Sequence, residues 1–180
     1  MERRKRFHLS RDNYIGYEIY FLTLCSAYRA PAFSEATLAA EIVSILKDEA
    51  TLAGFLLHAW CLMPDHLHVL IEGTREDSDL FRLVTRFKRR TTALHHHGGK
   101  ELWQRNFYEH ILREREALGS VAGYIWMNPV RKSLCQYVNE YPNSGSLTMP
   151  WKPVEGDPWI PPWRRNAADA KNRLPQRPAS

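Results

Sequence analysis

Two histidines separated by one residue are the clearest chemical signal in the sequence. His66 and His68 follow Met63-Pro64-Asp65 and begin a run of strand-forming residues that extends to Glu72. Because side chains alternate between the two faces of a strand, both imidazoles lie on one face while Leu67 points to the other. Imidazole nitrogen is a common ligand of divalent metals, and two such ligands leave coordination positions for a third side chain, water and phosphate. Taken alone, the motif also fits ordinary histidines on a strand face.

A tyrosine and an asparagine four residues apart form the second candidate. Tyr124 and Asn128 share one side of a predicted helix, at the edge of its apolar stripe. A tyrosine hydroxyl is a poor nucleophile near its ordinary pKa of ~10, but a divalent metal that polarises a phosphate removes much of that handicap. The asparagine carbonyl can complete the coordination. Both residues also fit structural roles, because tyrosines at a helix edge often cover core and Asn128 precedes Pro129, where chains tend to leave helical geometry.

A third group of side chains suits nucleic acid. The segment 103–110 is dense in residues that stack on bases or hydrogen-bond their edges. A formal net charge of +5 and clustered basic residues fit a polyanionic partner. The candidates for DNA contact are Arg3, Arg4, Arg86, Lys88, Arg89, Trp103, Gln104, Arg105, Tyr108 and Arg131. The alternative is a merely soluble basic surface, with Trp103 anchoring a loop.

Hydrophobic periodicity supplies the elements that position these residues. It predicts strands over 17–28, 53–62, 66–72 and 107–112, and helices over 34–50, 79–96 and 113–127. The order β-α-β-β-α-β-α favours an α+β fold of ferredoxin-like type, an antiparallel sheet with the helices packed on one face. A length of 180 residues favours one catalytic domain. His58 is interpreted as a strand histidine whose ring is satisfied by neighbours.

The two ends of the chain differ in composition from its middle. Residues 1–13 form a basic arm, 14–141 the predicted domain and 142–180 a Pro/Trp-rich tail. Three separated cysteines without a CxxC pair predict neither a disulfide framework nor a thiolate zinc site. No run approaches the ~18 apolar residues of a membrane span, and the basic N-terminus lacks an apolar signal core. We therefore expect a cytoplasmic protein with no membrane attachment.

Three motifs, taken in order, resemble the REP-associated tyrosine transposases. They are MPDHLHVL at 63–70, LWQRNFYEH at 102–110 and YIWMNPVR at 124–131. The resemblance covers roughly residues 14–140 and implies a ferredoxin-like HUH nuclease domain that binds single-stranded DNA with hairpins. It further implies cleavage with Mg²⁺ or Mn²⁺, which links the tyrosine to a 5′ phosphate and frees a 3′ hydroxyl. By this resemblance His66 and His68 hold the metal, Tyr124 is the nucleophile and Asn128 helps to hold the metal.

The sequence departs from the family pattern after the third motif. Residues 141–146 read YPNSGS, where the resemblance leads us to expect Tyr-Ser-Ser-Trp. Two alternatives stay open: a regulator that holds DNA hairpins without cutting them, and a phosphodiesterase in which the histidines activate water and Tyr124 is structural. The sequence is compatible with a monomer or a homodimer, since both occur among related transposases.

Overall fold

The fold is described by a computed structural model that defines residues 14–94, 101–113 and 118–150. In chain order its elements are β1 (Ile19–Cys25), α1 (Ala36–Leu52), β2 (Phe55–Met63), β3 (His66–Gly73), α2 (Leu80–Leu94), β4 (Tyr108–Ile111), α3 (Leu118–Trp126), α4 (Asn128–Arg131) and β5 (Ser144–Gly145). The strands form one antiparallel sheet in the order β4-β1-β3-β2-β5. The predicted α+β order is confirmed, and α4 and β5 are additions to it.

The sheet carries a helical layer on each face. Leu67, Val69 and Ile71 of β3 point toward the core under α1 and α2. Leu70 points the other way, into the apolar cluster under α3. Strand β2 is buried at eight of its nine positions, as a strand covered on both faces must be. The prediction that the helices pack on one face is therefore wrong, because α3 lies across the sheet from α1 and α2.

The turn between β2 and β3 is anchored to the segment that follows β1. The Ser26 N–H donates to the carbonyl of Asp65 at 2.9 Å, and the Phe33 N–H donates to the carbonyl of Pro64 at 3.0 Å. These bonds fix the turn immediately before His66, so the start of β3 has a defined position relative to the end of β1.

Residues 142–150 belong to the sheet edge, although composition assigns them to the tail. Strand β5 pairs with β2, with Gly145 opposite Trp60. A Cβ at position 145 would collide with the Trp60 ring, which explains glycine there. The Leu147 N–H donates to the carbonyl of Leu57 at 3.1 Å. The predicted basic arm at 1–13 and the rest of the tail, 151–180, lie outside the described residues.

None of the helices in the described ranges combines the length and the apolar character needed to cross a lipid bilayer.

Candidate active site

Strand β3 presents two histidines on the sheet face that α3 covers. The Nε2 atoms of His66 and His68 are 3.2 Å apart, and their ring planes meet at 79°. Two nitrogens that bind one metal ion at ~2.1 Å are separated by about 3 Å when they subtend roughly a right angle. The pair is therefore spaced as two ligands of a single ion.

Each imidazole is oriented through its second nitrogen. Nδ1 of His66 lies 2.6 Å from Oδ1 of Asp65, so its N–H donates to the carboxylate. Nδ1 of His68 lies 2.9 Å from Oγ1 of Thr23, which is its register partner on β1. Arg29 in turn donates from Nη1 to Oδ2 of Asp65 at 3.1 Å. The tautomer with a hydrogen on each Nδ1 satisfies Asp65 and Thr23 and would leave both Nε2 lone pairs available to a metal.

Burial keeps these imidazoles neutral. Desolvation lowers the pKa of His66 below its ordinary value of 6.5, although the hydrogen bond that its ring donates to Asp65 opposes this shift. The pKa of His68 falls well below 6.5, first because the ring is desolvated and then because His66 stands beside it. Neutral imidazole is the form that binds metal. With a hydrogen on each Nδ1, both Nε2 lone pairs could bind the same cation.

Helix α3 brings a tyrosine to the same place. The Tyr124 ring centroid is 6.1 Å from those of both His68 and Phe21, and the residue is buried. The guanidinium carbon of Arg131 lies 4.4 Å from the Tyr124 ring centroid. Nη2 of Arg131 also donates to the Tyr124 carbonyl at 2.6 Å. Arg131 thus caps the end of α3 and covers one side of the phenol ring.

Asn128 lies one helical turn beyond Tyr124 and begins α4. Its Nδ2 donates to the carbonyl of Tyr124 at 3.0 Å and to that of Ile125 at 3.3 Å. With the amide nitrogen directed at the backbone, the side-chain carbonyl oxygen is the atom that Asn128 can offer to a ligand. Pro129 lies in the first turn of α4, where proline is tolerated, so the helical path continues with little interruption.

These side chains line one cavity of about 380 Å³. Its walls consist of Thr23, Cys25, Arg29, Asp65, His66, His68, Tyr108, Tyr124, Asn128 and Lys132. Sequence reasoning missed the two cations of this set. Lys132 follows Asn128 by four residues, so helical spacing was a signal for it. Arg29 becomes visible only once β1 is paired with β3, because that pairing places Cys25 opposite His66.

The donor set suits a divalent metal. It offers two neutral imidazole nitrogens at the spacing of shared ligands, together with an amide oxygen. Within the described ranges no group of three or more His, Cys, Asp or Glu side chains is placed to hold a metal ion. The Asn128 amide oxygen is a candidate for the third protein donor, because Asn128 lines the cavity with both histidines.

Two predicted DNA-contacting residues instead hold the protein together. Trp103 is buried, donates from Nε1 to Oγ1 of Thr91 at 2.8 Å and packs against the Phe33 ring at 4.6 Å. The prediction that it stacks on bases is wrong, and the loop-anchor alternative describes it. The Lys88 ammonium donates to the backbone carbonyls of residues 104–106 at 2.8, 3.2 and 3.3 Å. Desolvation lowers the pKa of Lys88 to about 8. The three carbonyl contacts bind its ammonium to this loop, which gives Lys88 a structural role.

The other predicted contacts are distributed around the molecule. Nε of Arg86 donates to Oε2 of the fully buried Glu49 at 2.9 Å, on the α1/α2 side of the sheet, so Arg86 is a structural partner remote from the cavity. Tyr108 lines the cavity, and Arg131 touches Tyr124. The remaining candidates are exposed (Arg89, Arg105), half-buried (Gln104) or outside the described residues (Arg3, Arg4).

A family model described as "Transposase IS200 like" matches residues 17–128. This chain belongs to that family. The resemblance drawn from the three sequence motifs is thereby confirmed, and the cavity lies within the matched part of the transposase domain apart from Lys132.

Two curated relatives bear the name of the family that the three motifs resemble. The REP-associated tyrosine transposase of Escherichia coli strain K12 is 30% identical over 90 residues, which are 50% of this chain and 53% of that protein. A putative REP-associated tyrosine transposase of Haemophilus influenzae is 30% identical over 98 residues, 48% of this chain and 56% of the relative. The chain thus spans about half the length of the curated relatives it matches.

A solved structure has the same fold. It is described as a REP-associated tyrosine transposase bound to a REP hairpin, and it superposes with a TM-score of 0.63 at 22% identity. The superposition covers 80% of this chain and 82% of the other. The superposition therefore supports the α+β fold that the sheet topology of this chain shows.

Proposed function

We propose that this protein is a metal-dependent endonuclease and strand transferase that cuts hairpin-bearing single-stranded DNA and retains one cut end on Tyr124. The observation that carries the proposal is a single cavity shared by Tyr124, Asn128 and two histidines whose Nε2 atoms are 3.2 Å apart. Membership of the transposase family and the name tyrosine transposase carried by two relatives support DNA cleavage through a tyrosine.

The Tyr124 hydroxyl is the nucleophile of the proposed transfer step. The Tyr124 phenol oxygen forms a bond to the phosphorus of the scissile phosphate while the bond between that phosphorus and the 3′ oxygen breaks. The leaving oxygen takes up a proton and becomes a 3′ hydroxyl, and the phenol proton passes to water. The 5′ phosphate stays on Tyr124 as an ester, so attack by another 3′ hydroxyl reverses the step and joins two strands. Atoms and charge balance without a further reactant.

His66, His68 and Asn128 are the residues that would hold a divalent metal. When bound there, the metal would polarise the phosphate oxygens and lower the barrier to attack. The mixed donor set favours Mn²⁺ over Mg²⁺, because imidazole nitrogen is softer than the oxygen ligands that Mg²⁺ prefers. Asp65 and Thr23 hold the two rings in place from behind.

Two cations on the cavity wall suit the DNA backbone. The Arg29 side chain is 53% exposed although it pairs with Asp65, so one edge of its guanidinium can face a phosphate. Lys132 is exposed and lines the same cavity. Phosphate contacts of this kind position a strand without reading its sequence.

The substrate class comes from the relatives. The fold relative is described as bound to a REP hairpin, which supports a hairpin-bearing single strand as the substrate of this chain. All proposed catalytic side chains come from one copy of the chain, on β1, β3, α3 and α4 and the loops beside them. A single chain therefore supplies every side chain that the proposed reaction uses.

The decisive experiment is covalent capture. Purified protein is incubated with Mn²⁺ and a library of hairpin-bearing single-stranded oligonucleotides, and products are separated on a denaturing gel. The wild-type protein should form a protein–DNA adduct that Tyr124→Phe does not form, whereas the exposed-tyrosine control Tyr17→Phe should form it normally. Sequencing the captured DNA then identifies the substrate.

Three outcomes would contradict the proposal, each in a different way. An adduct of undiminished yield from Tyr124→Phe would remove Tyr124 as the nucleophile. Nicked DNA without an adduct would indicate a phosphodiesterase that uses water. DNA that is bound and left intact would indicate a regulator.

A further inference from the structure

The turn after β1 carries a tyrosine that folding does not explain. Tyr28 has φ 57° and ψ 13°, in the left-handed region that strains side chains with a Cβ. The residue is 95% exposed, so burial of its ring does not offset that strain. Glycine or asparagine would adopt this backbone conformation at lower cost. A bulky residue that costs stability and contributes no packing is best explained by contact with another molecule.

The backbone of this turn is held firmly in its strained form. The Ala27 N–H donates to the carbonyl of Leu102, and Ser26 Oγ donates to the carbonyl of Ala30 at 2.6 Å. Ser26 is also paired with Trp103 through an isolated β-bridge. Strained residues persist where the surrounding structure over-determines them, and they concentrate at binding sites. The turn therefore presents the Tyr28 ring from a preorganised backbone.

The position of the turn indicates which molecule this is. The next residue, Arg29, lines the catalytic cavity and pairs with Asp65, which orients His66. Tyr28 is the chain neighbour of this cavity-lining residue, and consecutive Cα atoms are only ~3.8 Å apart. An exposed aromatic residue beside a phosphate-binding arginine is the combination that single-strand binding proteins use, with bases on the ring and phosphates on the cation.

We propose that Tyr28 stacks on the base of the nucleotide that adjoins the scissile phosphate, while Arg29 contacts the phosphate itself. This inference rests on the proposed function and adds a DNA-contacting residue to it. Every base has an aromatic face, so Tyr28 positions the strand largely independently of sequence. Arg29 then holds the strand by its phosphate backbone, and Tyr28 holds it by a base.

The test changes two things separately and together: the Tyr28 ring in the protein and the bases in the DNA. All proteins carry Tyr124→Phe so that DNA stays intact, and binding is measured for a single strand of mixed sequence and for an abasic strand of equal length. Tyr28→Ala should weaken binding of the base-bearing strand about tenfold and leave binding of the abasic strand unchanged. Tyr28→Trp should bind at least as tightly as the parent, and Tyr17→Ala, an exposed tyrosine before the other end of β1, should bind like the parent.

Stability provides an independent readout. Tyr28→Asn places a residue that tolerates left-handed geometry in the turn, so its melting temperature should rise above that of the parent. Its binding of the base-bearing strand should nevertheless be as weak as that of Tyr28→Ala. A purely structural role for Tyr28 would move stability and binding in the same direction.

The outcomes separate this inference from the proposed function. Equal binding of the base-bearing strand by the parent and Tyr28→Ala overturns the stacking, and the wild-type adduct then leaves the cleavage proposal intact. An equal loss for base-bearing and abasic strands also overturns it, because the ring would then act on the backbone or on the fold. Absence of DNA binding by every variant, together with absence of any wild-type adduct, overturns both.

Discussion

Two strand histidines in this protein are equally buried and differ in what their nitrogens contact. His58 and His68 are each 5% exposed. Both nitrogens of His58 are bonded to protein groups, Nδ1 to Thr148 Oγ1 and Nε2 to Glu72 Oε2, each at 2.7 Å. His68 contacts Thr23 Oγ1 through Nδ1, and its Nε2 contacts the Nε2 of a second imidazole, that of His66, at 3.2 Å. Burial therefore does not distinguish these two histidines, whereas the partner of Nε2 does: a carboxylate for His58, and for His68 a second imidazole in the wall of the cavity.

Buried charge shows the same contrast on the two faces of the sheet. On the α1/α2 side, the fully buried Glu49 accepts from Arg86 and from Arg90, one carboxylate oxygen each at 2.9 Å. On the α3 side, Asp65 is partly exposed and orients a ring that opens into the cavity. Glu49 is held by two arginines, while Asp65 orients a ring that lines the cavity containing Tyr124.

Replacing each of the two histidines by alanine gives the largest expected effect. His68→Ala should reduce adduct formation at least about 100-fold, because it removes a proposed metal ligand and not merely a supporting group. His58→Ala should leave the adduct yield unchanged and lower the free energy of unfolding by about 1–3 kcal/mol, because Glu72 and Thr148 lose a partner. Adduct yield and urea denaturation measure the two effects. If His58→Ala lost adduct formation at a temperature where it is folded, the contrast between the two histidines would be wrong.

The buried carboxylate should affect stability alone. Glu49→Gln is expected to lower the free energy of unfolding by about 3 kcal/mol, the lower end for a broken buried ion pair, since both arginine side chains are 40% exposed and can reach water. Asp77→Asn is the matched control, because its pair with Arg75 is exposed and is worth less than about 1 kcal/mol. Urea denaturation compares the two variants. A loss of adduct yield by folded Glu49→Gln protein would show that this face also serves the reaction.

The support behind His68 should tune metal affinity. Thr23→Val keeps the shape of the side chain but removes the hydroxyl that holds Nδ1 of His68. We expect the Mn²⁺ concentration for half-maximal adduct formation to rise about 10-fold or more. Thr85→Val, on the exposed side of α2, should leave the titration unchanged. An unaltered Mn²⁺ titration for Thr23→Val would show that the hydroxyl does not orient the ligand.

The smallest effect concerns the lysine that holds the loop at 104–106. Its pKa is about 8 in the folded protein and 10.5 ordinarily, so between these values the unfolded chain binds more protons and the Lys88 contribution to stability rises with pH. The difference in unfolding free energy between wild type and Lys88→Met should therefore shift in favour of wild type from pH 8 to pH 10. Urea denaturation across that range measures it, and a difference independent of pH would contradict the lowered pKa.

The sequence predicted the parts of the site that depend on local periodicity. Alternation along β3 correctly placed His66 and His68 on one face with Leu67 on the other, and four-residue spacing placed Tyr124 beside Asn128. Element order was likewise accessible from hydrophobic pattern. The start of α1 shifted slightly, because the Glu35 carboxylate and not Ser34 accepts from the first helical N–H groups at 2.7 Å.

What the sequence did not predict depends on contacts between distant residues. Periodicity shows which side of α3 is apolar but not which face of the sheet receives it. Positive charge marked Arg86 as a DNA contact because its partner, Glu49, lies 37 residues away in the chain. An aromatic side chain such as Trp103 suits a base and a core equally well until its neighbours are known. Arg29 was not predicted because the residues of the cavity wall are far apart in the sequence and share no spacing.

The anchored turn at Pro64-Asp65 makes the proposed catalytic centre depend on the topology of the whole chain. The turn is joined by backbone hydrogen bonds to residues 26 and 33, and the cavity wall extends from Thr23 to Lys132. Contacts between such distant positions carry a loop-closure cost and form together with the global fold, not as a local motif. A nascent chain that has not yet produced α3 has both histidines but lacks Tyr124, the proposed nucleophile. Nuclease competence would then arise only after most of the domain has been synthesised and has folded.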